Sequence, residues 1–254
     1  MPYNYYIIRT GSFANDANKK LLYSLFSVTL CLDDYFSNRS LDCTKIMCGS
    51  SFVWTIIEIY LNVSRTRVIK PMHLTIGSHK YRLSKYTGIL LQGIQEGGVV
   101  TTFGLYFGDR LSNVNYFIML QIFTAYIAYT VHTKRRSAKN ACIASRRQIN
   151  TWTSLGLMGA VTIFNCINMY RSSDAVRQLK MLAVMCYVSG IWTSLSSMRN
   201  SRRVEVVAEN STGRIVLPYH YWSTFGVLSY DVFVEIGFAY LTFYAWFVQP
   251  SDDQ

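Results

Sequence analysis

Four acidic side chains stand where acids are rarely found. Glu58, Glu96, Asp231 and Glu235 lie inside long apolar stretches that hold no Lys or Arg, although the chain carries 25 basic and 14 acidic residues. An ionisable group at bilayer depth costs on the order of 2.5–3.5 kcal/mol on insertion scales, so it is paired, neutralised or turned towards water. With no base in the same stretches, the sequence predicts carboxyls that are protonated or that meet a cation. Asp231 and Glu235 are four residues apart and share a helix face. Two carboxylates that close titrate as a coupled pair, which gives the site a sensitivity to pH. The chemistry expected is passage of a cation: Asp231 as gate and transient Ca²⁺ ligand, Glu235 acting on its charge state, and Glu96 lining the route.

Each acid also has a structural reading. Glu58 lies within two turns of the end of its stretch, where Arg65 or Arg67 can reach back to form an ion pair. Glu235 as a neutral carboxyl can bond a neighbouring helix. Glu96 sits in Gly93-Ile-Gln-Glu-Gly97-Gly98, and glycines four apart permit close helix approach. Other chemistries find little support. The four histidines, His73, His79, His132 and His220, fall in connections or at the ends of apolar stretches, with no spacing that suggests zinc. Neither a G-x-S-x-G elbow nor a P-loop is present. The last apolar stretch lacks the lysine that a retinal protein requires. The six cysteines form no C-x-x-C pair, and of the sequons at Asn38, Asn62 and Asn210 only the first falls on the side opposite the basic loops. An enzyme is therefore not expected, nor a bound cofactor; Ca²⁺ or H⁺ enters only as the permeant ion.

The elements that must position these acids follow from the apolar pattern. Charged residues make up 15% of the chain, aromatics 15% and apolar residues 50%, against about 25% charged in an average soluble domain. A bilayer core about 30 Å thick takes about 20 apolar residues in a helix. Blocks of that length run over 46–63, 87–107, 114–131, 151–170, 181–198 and 222–248. A seventh, 21–37, is weakened by Asp33 and Asp34 and has a re-entrant helix as its alternative. Residues 1–254 thus read as one all-α, seven-helix transmembrane bundle. The connections on one side carry 19 of the 25 basic residues and those on the other carry six. The positive-inside rule places the richer side, with the N-terminus, in the cytoplasm. The net charge of +11 is then a topology signal, and nucleic acid is not needed as a partner. Beginning with a polar, Tyr-rich segment rather than a signal peptide, the chain is expected to use its first span as anchor. The basic loops, about 19–23 residues long, leave room for short amphipathic helices, and Val204–Glu209 reads as extended. His132-Thr-Lys-Arg-Arg136 suits anionic headgroups.

Four segments resemble the Bax inhibitor motif family. Lys19-Lys20-Leu-Leu-Tyr23-Ser-Leu is similar to the charged entry into that family's first span, and Leu90-Leu-Gln-Gly-Ile-Gln-Glu96-Gly97 to its third. Thr124-x5-Thr130-x2-Thr133-Lys134-Arg135 resembles the close of the fourth span, and Leu228-Ser-Tyr230-Asp231-Val-x3-Ile-x-Phe238 the last. The resemblance extends over the whole chain, and it includes the diverged viral members of poxviruses and cytomegaloviruses. It implies a Ca²⁺ or proton leak channel of endoplasmic reticulum or Golgi membranes that restrains apoptosis. Two departures stand out. No acid lies between Ala175 and Val204, where the family carries a second aspartate paired with that of the last span, and the approach from Pro71 to Glu96 is long. Asp231 is then expected to act alone or with Glu235. The alternative is a non-conducting membrane protein that binds other membrane proteins and directs their trafficking or degradation, as in viral immune evasion.

Overall fold

The computed structural model describes residues 3–10, 16–69, 71–133, 143–149, 152–198, 201–210, 213–216 and 221–248. Seven helices carry most of them. Helix α1 is Ala17–Asn38 and α2 is Asp42–Val63. Helix α3 joins Lys85–Gly93, a π-helical segment Ile94–Val99 and Val100–Asp109. Helices α4 (Val114–Thr133), α5 (Trp152–Arg171) and α6 (Ala175–Met198) follow. Helix α7 joins Tyr221–Ser229, a second π-helical segment Tyr230–Phe238 and Ala239–Phe247. Four of the seven, over Asp42–Val63, Val114–Val131, Ala175–Met198 and Thr224–Phe247, are long and apolar enough to cross a membrane.

Local chemistry sets the helix ends. The Asp16 carboxylate accepts from the Lys19 amide at the start of α1, and Arg39 closes that helix in the left-handed region at φ 54°. The Ser84 hydroxyl accepts from the Thr87 amide at the start of α3. Hydroxyls within the helices bond back to carbonyls one turn earlier, as Thr55 does to Ser51 and Thr124 to Leu120, so they need no water. Asp33 and Asp34 do not break α1, which runs unbroken for 22 residues. Asp34 pairs with Arg110 at 2.6 Å, and Asp33 accepts from the Tyr106 hydroxyl at 2.5 Å. Burial alone would lower the Arg110 guanidinium, but the hydrogen bond and charge of Asp34, together with Tyr106 and Cys43, outweigh it and hold the group above its ordinary range. Helix α6 begins six residues before the expected 181, because Arg177 is satisfied by Asp109 at 2.8 Å and Asp42 at 2.9 Å.

The basic connections hold strands where short amphipathic helices were expected. Strands β1 (Tyr3–Thr10), β2 (Arg67–Ile69), β5 (Ile143–Gln148), β6 (Arg202–Asn210) and β7 (Gly213–Val216) form one antiparallel sheet in the order β2-β5-β1-β6-β7. Strands β3 (His73–Ile76) and β4 (His79–Arg82) make a separate hairpin. The extended reading of Val204–Glu209 is thus part of a larger layer, which the all-α expectation did not include. Since the sheet draws together the connections before α1, after α2, between α4 and α5 and between α6 and α7, it lies across one end of the bundle. The short links 39–41, 110–113 and 172–174 lie at the other. Lys134–Arg136, offered for headgroup contact, lie outside the described residues, and with them the Lys134-Arg135 end of the segment that resembles the family's fourth span.

Helix α3 is central. Its Gly97 faces α2, where an added Cβ would lie 2.5 Å from the Ser50 carbonyl oxygen, and its Gly108 faces α6, where one would lie 2.9 Å from the Met181 nitrogen. Around the far half of α3 the fully buried Leu105, Tyr106, Phe107, Met181, Leu241 and Tyr244 pack as one core. The outward faces are apolar too: Leu25 (64% exposed), Phe52 (69%), Ile122 (65%) and Ile163 (62%) lie on four different helices. Such a belt exceeds the scattered apolar exposure of a soluble monomer. Gly97→Leu should force α2 from α3 and lower stability by about 1–3 kcal/mol, read as a depressed unfolding midpoint in detergent. An unchanged midpoint would show that the close approach is dispensable.

Candidate functional site

The four acids of the apolar stretches come together beneath the sheet, and each has a guanidinium partner. Alternation along a strand sends every second side chain to one face. The register sets Arg9 opposite Arg202, Arg67 opposite Arg147, and Arg147 opposite Ile7, two residues before Arg9. Arg9, Arg67, Arg147 and Arg202 therefore share the face turned to the bundle. Their sequence neighbours Arg146 and Arg203 take the opposite face, where Arg146 lies over the Tyr6 ring and Arg203 pairs with Glu205.

From the helices, α2 supplies Glu58, the π-helical segment of α3 supplies Glu96, and that of α7 supplies Asp231 and Glu235. Single-turn π segments recur at functional sites, and here both carry the acids. Arg67 pairs with Glu58 and, at 2.7 Å, with Glu96. Glu96 also takes Arg9 at 2.8 Å, the Trp54 indole at 3.3 Å and the Gln92 amide. Arg147 bridges Asp231, at 3.2 Å, and Glu235. Arg202 closes on Asp231 and donates to the Thr193 hydroxyl at 3.1 Å. Arg65 pairs with none of these acids: it is exposed, at φ 58°, just past the end of α2. So the expectation of intramembrane acids without a base is corrected. The bases come from the loops, which fold back as strands. Where the family resemblance expects a second aspartate, this chain offers Thr193 as a ligand of the Arg202 that neutralises Asp231.

The strand arginines feel this setting. Burial would lower Arg67, yet Glu58 and Glu96 outweigh it and raise the group above its ordinary value. Burial likewise opposes Glu235 at Arg147, and the net direction is again upward. At Arg202 burial wins over Asp231, and the group falls to about 10, still cationic at neutral pH. A cavity of about 220 Å³ lies against these groups. Arg9, Arg67, Arg147, Arg202 and Lys20 line it together with Glu96, Asp231 and Glu235, and its deeper wall is Phe103, Phe123, Ile127, Val184 and Met185. Phe123 is ten residues from the sheet end of α4, about 15 Å along the axis. The packed core of Tyr106, Phe107 and Met181 does not line it, so the cavity stops part way down the bundle.

Chemically the arrangement holds its acids in compensated form. Asp231 and Glu235, the expected Ca²⁺ gate, spend their oxygens on guanidiniums, and a cation must displace those first. Among the described residues no three His, Cys, Asp or Glu side chains are grouped so that they could hold a metal ion. The functional residues that the sequence reading passed over are Arg9, Arg147, Arg202 and Lys20. The available signal was the paired arginines of Arg146-Arg147-Gln and Arg202-Arg203-Val, of which a strand turns one to each face. Removing one partner of a buried pair costs about 3–5 kcal/mol, whereas replacing both by apolar groups is often neutral. Arg202→Ala should accordingly destabilise the protein by about that amount, and Arg202→Met with Asp231→Leu by much less. Unfolding of the two variants and the parent in detergent measures this, and equal losses in the single and double variants would deny the coupling.

Comparison with protein-family models, with curated proteins and with solved structures gives no match to this chain.

Proposed function

We propose that the chain is a seven-span integral membrane protein with its sheet on the cytoplasmic side, and that its cavity is the closed form of a cation or proton path. The observation that carries this reading is the placement of Asp231, Glu235 and Glu96 at the charged mouth of a cavity that stops at mid-bundle. In the closed form Arg147 and Arg202 neutralise the mouth. Withdrawal of the sheet would leave three carboxylates facing the path, and a ring of acids attracts cations and repels anions. The guanidiniums thus act as a latch on the gate. The identity of the ion as Ca²⁺ or H⁺, a location in endoplasmic reticulum or Golgi membranes and a restraint on cell death follow from the resemblance to the Bax inhibitor motif family.

A second reading is favoured by one observation: all four carboxylates are already compensated, and the far half of the bundle is filled by large buried side chains. On that reading the bundle conducts nothing and binds other membrane proteins. Flux from liposomes loaded with a Ca²⁺ or pH dye, between about pH 5 and 8, separates the two. The latch reading expects Arg202→Ala to leak several-fold faster than the parent and Asp231→Asn to differ from it. Identical, absent flux in all three at every pH would overturn it and leave the interaction reading. The seven-span topology has its own check. An epitope inserted at Gly77-Ser78, in the exposed hairpin turn, should be reached from the cytoplasm, and one at Ser112-Asn113 only from the opposite side. Labelling of both from one side would refute it.

A further inference from the structure

The cavity is not electrically neutral. Arg9, Arg67, Arg147, Arg202 and Lys20 face four carboxylates, Glu58, Glu96, Asp231 and Glu235. The ion pairs use all four acids on the arginines. Lys20, only 3% exposed, meets two neutral amide oxygens instead: Gln92 at 2.6 Å and Gln95 at 2.5 Å. Amide dipoles solvate an ammonium without cancelling its charge, and a buried charge left uncompensated costs several kcal/mol. Lys20, in the cavity wall, thus has an uncompensated charge and unused capacity for an acceptor.

The rest of the cavity selects what can carry that acceptor. Below the charged layer the walls are Phe103, Phe123, Ile127, Met185 and Val188, which offer a small polar anion nothing and favour burial of a hydrocarbon. The 220 Å³ volume is below the roughly 300–1,000 Å³ of common ligand pockets, so the apolar part takes one chain of moderate length. We propose that the cavity binds a single-chain amphiphile with one anionic head, a fatty-acid carboxylate by class. Its head lies in the Lys20 and strand-arginine layer and its tail between Phe103, Phe123 and Met185. One negative charge brings the five cations and four acids to balance, and each buried methylene of the tail adds to the affinity. This site is independent of whether the bundle conducts.

Native mass spectrometry of the full chain, freed of lipid in a neutral detergent, tests it with decanoate and decylammonium as probes of equal tail and opposite charge. Decanoate should bind once per chain and decylammonium should not. Lys20→Met should weaken decanoate at least tenfold, and Val188→Trp, which fills the apolar part, should abolish binding with the unfolding midpoint preserved. Arg203→Ala, on the opposite face of the sheet, should bind as the parent does. Equal binding of the two probes would overturn the proposal, as would unchanged decanoate affinity in Val188→Trp. Should Lys20→Met fail to fold, the comparison of probes and the Val188→Trp result decide the matter.

Discussion

Neither half of the charge layer can be buried without the other. Glu58, Glu96, Asp231 and Glu235 belong to helices, and Arg9, Arg67, Arg147 and Arg202 belong to strands. Each set alone would place several charges in a low-dielectric interior at several kcal/mol apiece. Together they bind a sheet to a bundle through pairs that apolar packing could not orient. The requirement also accounts for the strand register. One residue of slip in β5 would bring Arg146 inward in place of Arg147 and flip every other side chain of that strand.

The two ends of the bundle are held differently. At the end away from the sheet, helices tie directly to helices: Arg177 of α6 joins Asp42 of α2 and Asp109 of α3, and Arg110 reaches Asp34 of α1. Tyr244 donates to Asp174 across the same end at 2.9 Å. Beneath the sheet, by contrast, the acids of α2, α3 and α7 meet through a second layer. The aromatic contacts of α1 with α4, Tyr23 and Phe26 against Phe123, lie beside the cavity and pack rings rather than charges. Direct ties between helices thus lie at one end, and ties made through the strands lie at the other, beside the cavity.

The helices were legible because a bilayer-length apolar run leaves few alternatives. The 114–131 and 151–170 stretches fall within one or two residues of α4 and α5. The acids were legible as well, since an isolated Asp231 in an apolar run is conspicuous. Their partners were not. Arg147 lies 84 residues from Asp231 and Arg9 lies 87 from Glu96, and nothing local records such a pairing. Basic residues beside apolar runs also have a sufficient explanation in membrane orientation, which hid their second use. Of the two arginines considered for Glu58, the sequence offered no choice. The left-handed backbone at Arg65 ends the helix, and β2 then brings Arg67 inward.

The sheet also imposes an order of events on the making of the protein. Its central strand β1 comes first in the chain, its neighbour β5 begins at Ile143 and its other neighbour β6 at Arg202. At roughly 5–20 residues per second, β1 waits roughly 10–40 seconds for β6 to be made. During that interval Glu58 has its partner Arg67 nine residues away, but Arg9 has no strand neighbour until β5 is made. Asp231 and Glu235 are made last, and by then both arginines that neutralise them are in place. The early acid carries its own counter-charge in cis, and the late pair joins a bundle whose counter-charges have already been made.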